Sequence, residues 1–223
     1  MVRAIVFDFD GLILETEEPI YRSWVEVYQA HGEELPFDQW VQIVGSTTSR
    51  FNPQHHLESL LGRPLSREVL ERRVGRRTSM ILAQTVLPGV VDHIEAAREL
   101  GLKLGVASSS TGDWVKAHLE RLGILHCFDC VRCRDDVVNA KPEPDLYLAA
   151  LECLDVQASE ALAIEDSPNG ITAARRAGLR CVAVPNAVTA RLDLSGADLV
   201  TGSLADLSLA ELIERLESPR HLD

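Results

Sequence analysis

Hydrophobic and polar positions follow different rules on either side of residue 87. An Ile-, Val- and Phe-rich run from Val2 leads straight into Asp8-Phe9-Asp10-Gly11 without regular polar alternation. That is the pattern of a strand buried on both faces in the middle of a parallel sheet. Over 17–30, Ile20, Trp24, Val27 and Tyr28 recur at helical spacing, and His31-Gly32 closes the segment. Further helices are predicted over 37–44, 53–61 and 66–84, the last capped by Ser66 with Glu68 and Glu71 in its opening turns. Nothing between 17 and 85 reads as a strand. After Leu87-Pro88-Gly89 the chain alternates. Helices are predicted over 91–100, 112–122, 144–154, 168–177 and 207–216, and strands over 102–107, 128–133, 161–164, 180–184 and 198–200. Such alternation means a parallel sheet covered by helices on both faces, an α/β fold. The helical block is then an insertion. Residues 1–15 and 87–223 form the α/β core and 16–86 an all-helical domain, with hinges near 14–17 and 82–89.

Composition narrows the function more than the fold. The 223 residues are 46% hydrophobic and 25% charged, an ordinary globular balance. A formal net charge of −12 argues against nucleic acid, though not against an anionic substrate in a cleft with local positive charge. No apolar run is long enough to span a bilayer, and no basic n-region with a cleavage site precedes the first strand. The five cysteines are odd in number and not spread as a disulfide framework. The expectation is a protein of the reducing cytoplasm, with no membrane partner. A monomer or weak homodimer is expected, although no surface stripe stands out as an interface and the sequence does not itself give the oligomeric state.

The candidate chemistry sits at predicted strand ends. Asp8 and Asp10 are two residues apart, so in extended chain they point the same way. They are presented at the carboxyl end of a strand, where open α/β sheets bind ligands. Such a pair suits a hard cation, typically magnesium. An aspartate there can attack a phosphoryl group, and a neighbouring carboxyl can pass the proton. A structural Asp-Gly turn without chemistry is the alternative. The strand over 102–107 ends in Ser108, followed by Ser109, Ser110 and Thr111 at a helix start. Hydroxyls and free N–H groups there form a phosphate site, while Ser110 or Thr111 caps the helix. The strand over 161–164 runs into Glu165-Asp166-Ser167. Asp166 is placed to complete a magnesium site with Asp8, and Glu165 to hold a metal-bound water; N-capping would account for one acidic residue but not two. Lys141 lies in a loop stiffened by Pro142 and Pro144, with Asp145 expected to cap the next helix. A lysine there would offset carboxylate and phosphate charge.

DFDG, a Ser at a strand end, Lys-Pro, then Glu-Asp-Ser, in this order, resemble the haloacid dehalogenase superfamily of phosphotransferases. The helical insertion is similar to the small cap of the branch that holds phosphoglycolate phosphatase, the sugar-phosphate phosphatases and β-phosphoglucomutase. Extended similarity runs through DFDGLILETEEP, VASSS, NAKPEPDLY and EDSPNGITAARRAG, covering essentially the whole chain. The resemblance implies a Rossmann-like core with a helical cap. It implies Asp8 as nucleophile, forming an aspartyl-phosphate, and Asp10 as general acid/base. It implies Mg²⁺ held by Asp8, the backbone carbonyl of Asp10 and Asp166, with Glu165 behind them. Ser108 and the Ser109 N–H would bind the transferring phosphoryl group, and Lys141 would balance its charge. The expected activity is a magnesium-dependent phosphatase acting on a small phosphorylated metabolite, a sugar or polyol phosphate, under a closing cap. A β-phosphoglucomutase-like phosphomutase and a non-catalytic phospho-ligand sensor or partner-binding protein are the alternatives.

Two positions depart from the family pattern. Glu15 stands where Asp is usual and is expected to cap less well. Ile20 stands where β-phosphoglucomutase has a histidine, which favours hydrolysis. Polar candidates for substrate contact in the cap are Thr47, Thr48, Arg50, His55, His56, Arg76 and Arg77, with Thr48, Arg50 and Arg76 preferred. The run Arg72-Arg73-Val74-Gly75-Arg76-Arg77 reads as an exposed helix side. Cys127, Cys130 and Cys133 could suggest a metal, but residues three apart on a strand face opposite ways, so small buried core residues are expected.

Overall fold

The structure, a computed structural model, describes residues 1–41, 43 and 51–217. Its centre is β1 (Ala4–Phe7), paired in parallel with β2 (Lys103–Ala107) on one side and β4 (Ala161–Glu165) on the other. β3 (Cys130–Arg132) lies outside β2; β5 (Arg180–Ala183) and β6 (Leu199–Val200) continue beyond β4. The order is β3-β2-β1-β4-β5-β6, the α/β architecture with a Rossmann-like parallel sheet. The chain builds outward from β1 in both directions, so the crevice at its carboxyl end is the place for a ligand.

The two sheet faces are chemically different, and strand alternation makes them so. Ile5, Phe7, Leu104, Val106, Leu162, Ile164 and Val182 share one apolar cluster. The intervening Ala4, Val6, Ala161, Ala163, Cys181 and Ala183 belong to another. The larger side chains meet α5 (Val90–Glu99), α6 (Gly112–Arg121) and α9 (Leu209–Glu217). The face rich in small ones receives α7 (Asp145–Leu154) and α8 (Pro168–Arg176). Among the described residues no helix is long and apolar enough to cross a membrane.

Between β1 and α5 run α1 (Glu17–Ala30), α2 (Phe37–Trp40), α3 (Pro53–Leu61) and α4 (Arg67–Leu82). Trp24, Tyr28, Leu35, Trp40, Leu57 and Leu65 give them an apolar centre, which Val188 and Leu192 join from the segment after β5. Ser66 caps α4 as expected, accepting from the Val69 N–H at 3.3 Å. Both connections to the sheet are tied together: Leu14 bridges Val86, and the Leu87 N–H donates to the Ile13 carbonyl at 3.0 Å.

Local expectations fail where tertiary partners outbid local ones. Asp145 does not cap α7. Its Oδ2 accepts from the Asn139 backbone at 3.2 Å and the Asn139 side chain at 3.1 Å. Thr111 occupies the N-cap position of α6 without a side-chain cap bond; Asp135 takes the Gly112 N–H at 2.7 Å instead. Glu15 caps better than expected: despite its extra methylene, Oε1 accepts from the Glu17 and Glu18 N–H groups at 2.9 and 3.0 Å. The cysteine expectation is also corrected. Cys130 on β3 is bridged to Cys153 on α7, while Cys133 is buried and free on the other side of the sheet and Cys127 is half-buried.

Candidate active site

The site begins with strand register. Phe7 lies opposite Val106 and Ile164, so Asp8, Ser108 and Glu165 emerge within a residue of one another at the sheet's carboxyl edge. Lys141 reaches across from the loop before α7. It is 4% exposed, and its Nζ lies 2.5 Å from Asp8 Oδ1 and 2.6 Å from Glu165 Oε1. Tyr147 on α7 donates its hydroxyl to Glu165 Oε1 at 2.6 Å. Asn186, just past β5, donates to Asp166 Oδ2 at 2.8 Å and to the Gly11 carbonyl at 3.4 Å. An Asx turn holds Asn186 itself, its Oδ1 accepting from the Val188 and Thr189 N–H groups.

Two glycines are sterically required here. A Cβ on Gly170 would stand 1.9 Å from the Glu165 carboxyl carbon. Gly11 has φ +80° and faces Asp166, whose Oδ2 would lie 2.4 Å from any Cβ.

The electrostatics are those of crowded acids around one base. Burial pushes the Asp8 carboxyl up, with Lys141 opposing it. Burial likewise raises Glu165 against the pull of Lys141. Asp166 rises well above the usual carboxylate range, through burial and then through Asp8, Glu165 and Glu17. Burial alone would lower the Lys141 ammonium, but Asp8 and Glu165 outweigh it and raise it. Oxygens of Asp8, Glu165 and Asp166 lie within 4.8 Å of one another. Three carboxylates against one ammonium leave two negative charges, the complement of a divalent cation, and the donors are all oxygen. The residues therefore fit a hard divalent ion.

The Asp10 side chain stands outside that group. Its Oδ1 accepts from Thr16 Oγ1 at 3.0 Å and from the Trp114 indole N–H at 3.2 Å. Its Oδ2 accepts from Ser110 Oγ at 2.6 Å and Ser108 Oγ at 3.4 Å. Ser110 is thus an Asp10 ligand rather than a helix cap. Ser109 Oγ is buried with no hydrogen-bond partner. Asp8, Asp10, Thr16, Ser108, Ser109, Ser110, Trp114, Lys141 and Asp166 open into one cleft of about 380 Å³, whose other walls are Glu17, Ile20, Ile43, Arg77, Ile81 and Ser167. Burial, then Asp10, Glu15 and Asp8, push the Glu17 carboxyl up to about 8.

The expected core residues, Asp8, Asp10, Ser108, Ser109, Lys141, Glu165 and Asp166, are brought together. Those expected from the helical segment mostly are not. Arg76 is paired with Glu26 on the surface at 3.0 Å and does not line the cleft. His55 is exposed; His56 Nδ1 lies 2.9 Å from the Tyr28 hydroxyl in the helical core. Thr47, Thr48 and Arg50 lie outside the described residues. Arg77 does line the cleft. Trp114, Tyr147 and Asn186 escaped the sequence reading. The first two pass for core aromatics on helices, whereas Asn186 follows a predicted strand end and could have been flagged by position.

A strand-end carboxylate nucleophile candidate, a buried lysine and a second acidic strand end define a class. Residues 5–184 match the family described as haloacid dehalogenase-like hydrolase, and the chain belongs to that family, in its phosphatase and phosphoglucomutase-like branch. It is 42% identical, over 98% of its length and 99% of the relative's, to "Putative phosphatase YhcW" of Bacillus subtilis (strain 168). It is 30% identical to β-phosphoglucomutase of the same organism, covering 98% of this chain and 97% of the other. The crystal structure of CbbY from Rhodobacter sphaeroides in complex with phosphate superimposes with a TM-score of 0.71 at 31% identity, covering 96% of this chain and 100% of that one.

Proposed function

We propose that this phosphoric monoester hydrolase is a magnesium-dependent phosphatase of small sugar or polyol phosphates, working through an aspartyl-phosphate on Asp8. The observation that carries the reading is the joining of two differently held carboxylates in one cleft. Asp8 is clamped by Lys141, and Asp10 rests on hydroxyl and indole donors. A relative whose name is a phosphoglucose activity supports a sugar phosphate as substrate.

Mg²⁺ would be held by Asp8, Asp166 and the Asp10 carbonyl, with Glu165 behind, and when bound it neutralises charge on the phosphoryl oxygens. The protein's own residues do the rest. An Asp8 oxygen attacks phosphorus, and an Asp8 O–P bond forms as the P–O bond to the alcohol breaks. Asp10 gives its proton to the departing alkoxide oxygen. Water then attacks phosphorus, Asp10 takes the water's proton, the Asp8 O–P bond breaks, and inorganic phosphate leaves. Ser108 and the Ser109 N–H bind the transferring group, and Lys141 limits its repulsion from Asp8. Residues 16–86 serve as the cap that shuts water out, and 1–15 with 87–223 as the catalytic core. Ile20 lines the cleft and has no proton to offer, which favours hydrolysis over a mutase cycle.

The test is phosphate release from a panel of hexose, pentose and polyol phosphates, with magnesium and with chelator. Magnesium-dependent release, abolished in Asp8→Asn, is expected. Interconversion of two glucose phosphates without free phosphate would replace the reading with a mutase, and saturable binding without turnover would replace it with a sensor.

A further inference from the structure

Helix α4 carries five arginines that the fold treats unequally. Arg67 pairs with Glu71 at 2.6 Å, Arg72 with Glu68 at 2.7 Å and Arg76 with Glu26 at 3.0 Å. Arg73 lies over the Trp24 ring and donates to Ser23 Oγ. Arg77 is left over. It lines the cleft that holds Asp8, and its Nε–H is buried without a hydrogen-bond partner. No carboxylate of the described residues lies within the 4.0 Å of an ion pair with it. Residues 42 and 44–50, which flank the cleft residue Ile43 in the chain, contain no Asp or Glu.

The other cation lining the cleft, Lys141, is already committed to Asp8 and Glu165. Arg77 is therefore the uncommitted positive charge of the site among the described residues. It shares the cleft wall with Ile20, Ile43 and Ile81, and with Glu17. In such surroundings an unmade donor is costly and a charge pair is strong. A guanidinium presents paired N–H donors whose geometry fits the oxygens of a carboxylate or a phosphate. A neutral polyol would use only part of that capacity.

We propose that Arg77 receives a second anionic group of the substrate, so that the preferred substrate is a phosphomonoester whose leaving group itself bears a carboxylate or a further phosphate. The transferred phosphoryl group lies against Asp8, and the second anion lies on the helical side of the cleft. This rests on the phosphatase reading above and narrows its substrate class.

The test uses matched pairs that differ only in that second charge. The pairs are 3-phosphoglycerate with glycerol 1-phosphate, and fructose 1,6-bisphosphate with fructose 1-phosphate. The ratio of kcat/KM, charged to neutral, is measured for the full chain and for Arg77→Met, with Arg77→Lys as the conservative variant and circular dichroism as a check of fold. In at least one pair the ratio should fall tenfold or more in Arg77→Met, chiefly through KM, and recover in part in Arg77→Lys. The pair that responds tells carboxylate from phosphate. An unchanged ratio in both pairs overturns the inference, because Arg77 would then act only on the phosphoryl group that all four compounds share. The same four compounds are titrated by calorimetry into Asp8→Asn and Asp8→Asn/Arg77→Met, which separates the two readings. Should no compound be turned over by the wild type, the phosphatase reading fails. Binding then still decides on Arg77: selective loss of the charged ligands upholds it, and equal binding to both proteins overturns it.

Discussion

Replacing Lys141 with methionine removes the ammonium that holds the acidic cluster together while keeping most of the side-chain volume. The lysine is 4% exposed and bonded to both Asp8 and Glu165, so its loss leaves two buried carboxylates without their cation. Breaking a buried pair from one side costs about 3–5 kcal/mol. For a chain of this size that is a fall in Tm of roughly 6–20 °C. The loss should depend on pH with a definite sign. Asp8, Glu165 and Asp166 are all raised by burial, so the folded state holds protons that the unfolded state has released. Stability therefore falls as pH rises from the unfolded carboxylate value, about 4, towards the raised folded values. Lys141 limits that rise for Asp8 and Glu165, and without it the fall becomes steeper. Melting of metal-free wild type and Lys141→Met at pH 5 and pH 8 reads this directly. The deficit should be small at pH 5 and large at pH 8, and millimolar magnesium should recover part of it at pH 8. An equal deficit at both pH values would refute the charge argument and leave only lost packing.

Trp114→Phe removes the indole donor to Asp10 and should lower kcat about tenfold for alkyl phosphates, the scale of one hydrogen bond to a charged group. Hydrolysis of p-nitrophenyl phosphate, whose leaving group needs no proton, should suffer less in single-turnover assays; equal losses would remove Trp114 from the positioning of Asp10. Asn186→Ala should weaken magnesium binding about tenfold by calorimetric titration, because Asp166 loses the donor that orients it; unchanged affinity would make Asn186 a loop residue only. Glu17, raised to about 8, is protonated in the folded state and ionised in the unfolded one across pH 4.5–8. Metal-free wild type should thus lose stability over that window, and Glu17→Gln should lose less, as parallel melts from pH 5 to 9 would record.

Much of the architecture was legible because burial writes a period into the chain. The run before Asp8 and the breaks at Pro88-Gly89, Gly101, Gly123 and Gly178 locate the strands and helices they border to within two residues, whereas the helix expected over 37–44 is seen over Phe37–Trp40, with 42 and 44 outside the described residues. The acidic residues at strand ends were legible for the same reason: a buried strand that stops in carboxylates needs something to hold them. What sequence could not supply was phase and reach. Arg76 and Arg77 are neighbours on α4, and a step of about 100° around a helix decides which of them meets the cleft. Val69 and Leu70 of α4 pack on the cluster that holds Trp24 and Tyr28, and Arg73 lies over Trp24, contacts with distant residues that no local pattern reveals. Ser110 and Asp145 look like helix caps by position, yet their side chains bond to Asp10 and Asn139, partners fixed only when distant segments meet. The Cys130–Cys153 bridge joins residues 23 apart on a strand and a helix, a pairing that spacing does not encode.

The bridge between Leu14 and Val86 has a consequence for inheritance. The chain leaves the sheet and returns to it at a single clasp, with Leu87 bonded to Ile13 beside it. To the sheet, everything between is a closed loop, and doubling the length of such a loop costs only about 0.6 kcal/mol. A lineage can therefore lengthen, trim or exchange the helices over the cleft while the aspartates and the lysine beneath stay in register. New chemical tastes can be tried on an old catalyst one covering at a time.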